Sequence, residues 1–596
     1  MATATVTLLP KTKGGAFLIE ERGPNEIFTP EDFTPEHHAI ARTADEFWTR
    51  DVEPNLEAIR HQDPGAVEKV LRKAGELGLT AVEVPERYGG MEMDLASGMI
   101  VAEHMARDGS LAAAYGAHSG IGTMPLLLFG TEEQKRQYLP ALATVETLAA
   151  YALTEPHAGS DALAARTRAD LGPDGRHYLL NGQKMWITNG APAGLFTVFA
   201  KIGGEQFTAF LVERGFGVKS GAEEKKMGIK GSSTTALYFD NVPVPVENVL
   251  GEIGRGHAIA FNILNIGRLK LGPFAVGGCK DVLALSIRYA KERKAFGSSI
   301  AEFGMIRHKL AEMAIRTFAA ESMVWRVVGL IEAHLEGHSW DRPDAARTML
   351  KAVEEFAPEC SIVKVYASEA LDYVVDEGVQ IHGGYGYHQD YAVERAYRDS
   401  RINRIFEGTN EINRLLTTGM LLKRAARGQL GLVEAAKGVL GEILGGGALS
   451  GAGDVAGPFA EETRLVRNAR KIALMLMGVA YQRYVGELEK QQEILAGITD
   501  VIMDVFAMES ALLRTRRLAA GGRGAQASDM CAVLARDAMA HIEATARVVL
   551  AACAEGDTLR AHVAVLRRFA RYEPVDSIAL RRAVAGRLLE AGKYLV

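Results

Sequence analysis

Residues 151–161 read YALTEPHAGSD and begin the stretch in which the spacing of hydrophobic residues changes. From here to residue 239 the chain carries short runs rich in β-branched and aromatic residues, such as FTVFAKI (196–202) and FTAFLVE (207–213). Glycine-containing turn signals separate these runs, a pattern typical of β-strands. The stretch holds too few crossover helices for a parallel sheet of the dinucleotide-binding kind, so we predict an all-β domain.

Helical patterns flank this β segment on both sides. Residues 34–148 place apolar residues three and four apart, and long helical patterns return after residue 254. A further helical block follows a stretch with six glycines at 445–458, which we interpret as a linker. The chain is therefore predicted to have four domains: a helical domain at 30–150, a β domain at 151–255, a helical bundle at 256–422 and an additional C-terminal helical domain at 423–596.

Composition excludes several classes of protein. The 596 residues carry a net charge of −6, which provides no basic footprint for nucleic acid. The four cysteines stand far apart, so we predict neither a disulfide framework nor a metal site. Residues 109–131 lack charged side chains, but their proline and five glycines favour packed or site-lining backbone over a membrane span. The N-terminus lacks a secretory signal, which favours a cytoplasmic location and leaves a short organellar transit segment open.

Two clusters in the β segment could bind a flat ligand that carries phosphate. Residues 151–161 could present hydroxyls and backbone N–H groups to a phosphate, or they could form a capped Pro/Gly turn. In NGQKMWITNG (181–190), strand alternation places Trp186 and Thr188 on the same face. The indole could stack on a heterocycle, although a core tryptophan is the alternative explanation.

Two further clusters lie in the predicted bundle. In ERKAFG (292–297) Arg293 could bind a pyrophosphate, or it could be a solvated helix terminus. The fourth cluster joins QIHGGYG (380–386) with RIFEGTNEI (404–412), in which Glu407 precedes a loop that opens a helix. The alternative there is a helix N-cap at Thr409 or Asn410, with Glu407 merely nearby.

In this order and spacing, the four clusters resemble the acyl-CoA dehydrogenase family of flavoenzymes. The resemblance runs from about residue 34 to residue 422. LNIGRLKLG (264–272) and the extra C-terminal domain look most like the very-long-chain branch, which includes a membrane-peripheral mitochondrial enzyme and bacterial relatives. The implied fold is mostly α with a central all-β barrel or sandwich, a helical bundle and an additional C-terminal helical domain.

The resemblance implies that FAD is the cofactor. The segments around Arg293 and Gln380 match the family segments that bind the FAD of the neighbouring subunit. This match implies a homo-oligomer, with a dimer favoured. The implied FAD contacts are Tyr151, Leu153, Thr154, Gly159, Ser160, Trp186, Ile187, Thr188, Arg293, Phe296, Gln380, Gly383, Gly384, Thr409 and Glu411.

Glu407 falls on the catalytic base of the family. Two branches place the base just before the arginine equivalent to Arg268, but here that position is Gly267. Ala117 stands near the place of a glutamate that blocks the pocket of medium-chain members, which predicts a deep cavity for long acyl chains. Close helix packing on small residues is the alternative. The implied substrate contacts are Ser160, Asn265, Arg268, Gly408, Gly116, Ala117 and Gly120.

The implied reaction is FAD-dependent α,β-dehydrogenation of long-chain acyl-CoA to trans-2-enoyl-CoA in fatty acid β-oxidation. Glu407 would remove the α-proton, N5 of FAD would accept the hydride, and the electrons would pass to an electron-transferring flavoprotein. Desolvation should raise the pKa of Glu407. Two alternatives stay open: an acyl-CoA oxidase that uses O2, and a catalytically silent FAD-binding assembly or scaffold protein. The apolar helix predicted at 432–444 leaves open a peripheral membrane contact, with ordinary packing as the favoured alternative.

Overall fold

The computed structural model describes residues 9–444 and 457–596, so most of the predicted linker at 445–458 lies outside the described residues. Helices α1–α7 form the N-terminal part, and a π-helical turn at Ala117–Gly122 joins α5 to α6. The hydroxyl of Thr34 accepts the His37 N–H and caps α1. These helices are α1 (Pro35–Phe47), α2 (Leu56–Arg60), α3 (Ala66–Glu76), α4 (Leu95–Met105), α5 (Gly109–Gly116), α6 (Met124–Phe129) and α7 (Glu132–Ala143).

The central part is a twisted sheet with the strand order β6-β7-β3-β2-β4-β5-β8, and β1 pairs with β4. Most pairings are antiparallel, but β1–β4 and β2–β4 are parallel. The sequence did not predict these two pairs, because strand β3, rather than a helix, supplies the crossover that parallel strands need. The strands are β1 (Ala149–Ala152), β2 (Arg168–Leu171), β3 (His177–Thr188), β4 (Leu195–Ile202), β5 (Gln206–Glu213), β6 (Lys219–Glu223), β7 (Thr234–Pro245) and β8 (Val249–Leu250).

Long helices follow the sheet and pack around α8, which contacts α4, α9 and α11. Leu310, Met313 and Ala314 are buried on α9, at the spacing of one helix face. A two-stranded hairpin, β9 (Lys294–Ala295) and β10 (Ser298–Ser299), lies between α8 and α9. The helices of this part are α8 (Gly256–Glu292), α9 (Gly304–His334), α10 (Ala345–Glu355), α11 (Ala357–His382), α12 (Ala392–Ser400) and α13 (Asn410–Ala426).

The C-terminal helices pack directly on the bundle, with α16 against α9 and α13 and α19 against α9. Leu432 and Val439 of α14 are buried against the core, which favours ordinary packing of this helix over a membrane contact. Among the described residues, no helix is both long and apolar enough to cross a membrane. The helices are α14 (Leu432–Leu444), α15 (Ala460–Arg483), α16 (Gln492–Ala520), α17 (Ala525–Cys553), α18 (Gly556–Phe569) and α19 (Ser577–Ala591).

Buried charges hold the chain ends to the bundle. The N–H of Gly15 donates to Glu359 Oε1 at 2.6 Å, and the ring of Phe17 lies 4.8 Å from that of Phe506. The buried guanidinium of Arg514, on α16, contacts Glu31 near the N-terminus and Glu321 on α9. Burying such charges is favourable only when they are paired, so these contacts fix the position of the C-terminal domain.

Candidate active site

Glu407 lies in a bend just before α13, and the backbone of this bend is left-handed. Its φ is 57°, and that of Gly408 is 81°. A left-handed glutamate is uncommon, since its Cβ crowds the backbone. Thr409 caps α13 by accepting the Ile412 N–H at 3.3 Å, as one of the two sequence interpretations expected.

Side chains from three helices hold the carbonyl oxygens of this bend. Arg268 Nε, on α8, donates to Glu407 O at 3.1 Å. Lys364 Nζ on α11 and Asn413 Nδ2 on α13 each donate to Gly408 O at 2.8 Å. These bonds satisfy partly buried carbonyl groups and stabilise the strained backbone at Glu407.

The carboxylate of Glu407 lies against α8 at Gly267, where any larger residue would displace it. A Cβ atom on Gly267 would lie 2.6 Å from Glu407 Oε2 and 3.3 Å from Ile121 Cγ2. Oε2 is buried and has no hydrogen-bond partner. Burial raises the pKa of Glu407 to about 7, although the charges of Arg268 and Lys364 lower it. The group is therefore a base poised near neutral pH.

Strand β1 brings the first predicted cluster close to Glu407. Tyr151 is buried, and burial, followed by the negative charge of Glu407, raises the pKa of its phenol. Its hydroxyl donates to Ala260 O of α8 at 3.5 Å. Leu153 is also buried, whereas Gly159 and Ser160 lie exposed in the loop after β1.

The second predicted cluster lies beside the first. The Met185 N–H donates to Thr154 O at 2.9 Å, which ties the end of β3 to the end of β1. A register shift in the β3–β7 pairing spans Trp186, whose φ is 60° and whose side chain is 56% exposed. Ile187 is buried and Thr188 half-buried. The exposed indole fits a ligand-stacking surface and excludes the alternative of a core tryptophan.

Arg293 and Phe296 form a second exposed surface together with the turn after α11. The guanidinium of Arg293 lies 5.6 Å from the ring centre of Tyr385. Phe296 is 98% exposed with a φ of 51°. The neighbouring Gln380, Gly383 and Gly384 are exposed, as is Glu411 at the start of α13.

The predicted substrate contacts lie on α8 and on the turn that faces it. Arg268 Nη1 donates to Asn265 Oδ1 at 2.9 Å, and both side chains are buried. A Cβ atom on Gly116 would lie 3.2 Å from the Phe274 ring. A side chain of α8 therefore packs against Gly116, as expected if the small residues allow close helix packing. The deep cavity for long acyl chains stays a prediction.

Gly120 of the same stretch faces a buried ion pair. A Cβ atom on Gly120 would lie 3.5 Å from Lys270 Cδ. Lys270 Nζ lies 3.1 Å from Glu83 Oε1, and both side chains are buried. Ala117 is buried nearby. The apolar stem of Lys270 therefore forms one wall beside Gly120.

Comparison with known proteins identifies the family. Family models described as the N-terminal, middle and C-terminal domains of acyl-CoA dehydrogenase match residues 34–146, 150–242 and 254–421. The chain is 49% identical to a probable acyl-CoA dehydrogenase of Bacillus subtilis (strain 168), over 98% of each chain. The chain belongs to the acyl-CoA dehydrogenase family. The predicted family, fold class and enzyme class, an oxidoreductase, are thereby confirmed.

Two further acyl-CoA dehydrogenases define the resemblance more closely. The crystal structure of an acyl-CoA dehydrogenase complexed with FAD from Bacillus anthracis has a TM-score of 0.96 and 48% identity, covering 98% of this chain and 100% of that one. The mitochondrial very long-chain specific acyl-CoA dehydrogenase of Homo sapiens is 37% identical, over 74% of this chain and 69% of its own length. A second acyl-CoA dehydrogenase C-terminal domain model matches residues 468–568, within the predicted additional domain.

Several residues around the acyl-CoA dehydrogenase site were not predicted from the sequence. Lys364 and Asn413 hold the Glu407 bend, and Lys270 and Glu83 form the ion pair beside Gly120. One signal was available for Lys364, because it continues the buried stripe that Cys360 begins on α11. A lysine in an apolar stripe indicates a buried partner.

Proposed function

We propose that the chain is an FAD-dependent dehydrogenase that oxidises a long-chain acyl-CoA to the trans-2-enoyl-CoA, with Glu407 as the base. The observation that carries the proposal is the buried Glu407 Oε2, which lacks a hydrogen-bond partner and lies against Gly267. An acyl-CoA Cα–H group placed there would meet a carboxylate that is free to accept a proton.

Burial prepares Glu407 for this task. An ordinary glutamate with a pKa near 4.3 is too weak a base for the α-proton of a thioester. Burial raises the pKa of Glu407 to about 7, and substrate that displaces water would raise it further. The backbone N–H of Glu407 is proposed to bind the thioester carbonyl and stabilise the developing negative charge. Arg268 donates to the carbonyl oxygen of Glu407 and to Asn265, so these two side chains of α8 line the site next to the proposed base.

The residues around β1 and β3 fit FAD. The exposed Trp186 offers a flat apolar face for the ring system, beside Thr154 and Thr188. Nothing lies within 4 Å of a Cβ atom on Gly159, so a phosphate could approach the backbone N–H groups of that loop. The chemistry that FAD supplies when bound is acceptance of the hydride from the β-carbon.

The second exposed surface supports a homodimer. Arg293, Phe296, Gln380, Gly383 and Gly384 are proposed to reach the FAD of the partner subunit. The exposed Phe296 suits a contact of this kind, because a solvated phenylalanine gains free energy on burial. An electron-transferring flavoprotein is the proposed electron acceptor.

The decisive experiment is anaerobic mixing of the FAD-loaded protein with acyl-CoA while flavin absorbance is followed. Palmitoyl-CoA should bleach the flavin of the wild type and leave that of Glu407→Gln unchanged. Glu394→Gln is the matched control, since this glutamate pairs with Arg398 on α12 and should not affect bleaching. Equal bleaching of wild type and Glu407→Gln would refute the proposed base.

Two further outcomes separate the alternatives. A series from butyryl- to palmitoyl-CoA tests chain length, and a preference for butyryl- to octanoyl-CoA would contradict the long-chain assignment. Fast peroxide release on admission of air would support an oxidase instead. Retention of FAD without bleaching by any acyl-CoA would support a scaffold protein.

A further inference from the structure

Lys364 lies inside the bundle, directly behind the bend that carries Glu407. Its side chain is fully buried on α11. Its ammonium donates to Gly408 O at 2.8 Å and to Asn410 Oδ1 at 2.7 Å. Among the described residues, no carboxylate forms a direct ion pair with it. A buried cation that lacks a paired carboxylate costs free energy, which its hydrogen bonds and the charges around it must offset.

The two hydrogen bonds of Lys364 span the bend. Gly408 O lies on one side of Thr409, and Asn410 Oδ1 lies on the other. Glu407 has a left-handed backbone, which a residue with a Cβ atom disfavours and surrounding contacts must hold, whereas Gly408 adopts its own left-handed backbone without strain. Loss of the ammonium would leave Gly408 O with Asn413 as its remaining side-chain donor.

The charge of Lys364 also acts on the Glu407 carboxylate. Burial lowers the pKa of Lys364, and the negative charge of the nearby Glu407 is the strongest influence that raises it and so favours the ammonium form. Conversely, Arg268 and Lys364 oppose the effect of burial on the pKa of Glu407. The other charged or titratable groups that face this pair are Tyr151 on β1, Glu369 on α11 and Glu411 on α13.

We propose that Lys364 is a positioning residue for proton abstraction by Glu407. Its ammonium fixes the bend, and its charge stabilises the ionised carboxylate where water is excluded. The inference rests on the proposed function, because it assumes that Glu407 is the base. Lys364 acts through Glu407 and the backbone, without touching the reacting atoms.

The test is the pH dependence of single-turnover flavin bleaching by palmitoyl-CoA. Lys364→Gln retains a hydrogen-bond donor but removes the charge, so the apparent pKa of the rate should rise by about one pH unit. At pH 7 the rate should then fall about fivefold, and near pH 9 the two proteins should react at similar rates. Lys364→Arg keeps the charge and should retain the apparent pKa of the wild-type rate. Its planar guanidinium can slow the reaction without changing that pKa.

Lys309→Met serves as the matched control, because Lys309 pairs with Glu377 of α11 away from the bend. Its pH profile should equal that of the wild type. A rate ratio between wild type and Lys364→Gln that stays constant with pH would overturn the inference. A wild type that no acyl-CoA bleaches would overturn the proposed function instead. If Lys364→Gln fails to bind FAD, Lys364→Arg decides, and a raised pKa in that variant refutes the role of charge.

Discussion

Replacing Glu407 with Gln should stabilise the protein at pH 8 but not at pH 5. Burial raises the pKa of the folded Glu407 from 4.5 to about 7. Between these values the folded chain holds a proton that the unfolded chain has lost, so stability falls as pH rises and the loss is complete above pH 7. At about 1.36 kcal/mol for each pKa unit, the ionised carboxylate costs roughly 3 kcal/mol at pH 8, a cost that neutral Gln avoids.

Scanning calorimetry of the FAD-loaded proteins at both pH values provides the assay. The thermal midpoint of Glu407→Gln relative to wild type should rise by roughly 2 °C between pH 5 and pH 8, because a chain of this length has a large unfolding entropy. Glu394→Gln is the control, because a hydrogen bond from Arg398 lowers the pKa of Glu394 and leaves it ionised at both pH values. Its difference from wild type should therefore stay constant. A difference for Glu407→Gln that does not depend on pH would refute the reasoning.

Three other variants test the surroundings of the site and the C-terminal contact. Gly267→Ala places a Cβ atom 2.6 Å from Glu407 Oε2 and should slow flavin bleaching about 100-fold with FAD content unchanged; an unaltered rate would contradict the close contact. Lys270→Ala combined with Glu83→Gln removes the wall beside Gly120, in the proposed acyl pocket, so binding of unreactive S-alkyl-CoA thioethers should shift toward longer chains, and an unchanged length preference would exclude this wall as a determinant. Arg514→Met removes the ion-pair partner of Glu31 and one of the two cationic partners of Glu321, which keeps Lys280, and should cost about 3 kcal/mol in thermal unfolding; a neutral effect would show that the C-terminal contact is dispensable.

Local patterns made much of the fold predictable. The change from helical to strand spacing near residue 151 coincides with β1 at Ala149–Ala152. Thr34 and Thr409 act as helix caps, because a hydroxyl at the first turn satisfies an N–H group that has no partner within the helix. Such features depend on neighbours in sequence and can be read from the chain. The predicted domain limits and the roles of individual site residues stay predictions.

Features that depend on distant contacts could not be predicted. Gly267 and Glu407 meet only because α8 packs against the bend before α13, 140 residues later. The exposure of Trp186 follows from a register shift in the β3–β7 pairing, which simple alternation does not contain. Lys364 was overlooked because its partners are backbone and amide oxygens, which carry no charge pattern in the sequence.

Segments near the two termini meet at Glu321 of α9. Near the C-terminus, Tyr594 donates to Glu321, the same carboxylate that Arg514 contacts beside Glu31. Arg581 of α19 pairs with Glu312, nine residues earlier on α9. An expression fragment ending after α13 would expose these two acidic side chains of α9, which the C-terminal helices cover in the full chain. The C-terminal helices are thus part of the folding unit, and a shortened dehydrogenase would need new residues on α9 before it could stand alone.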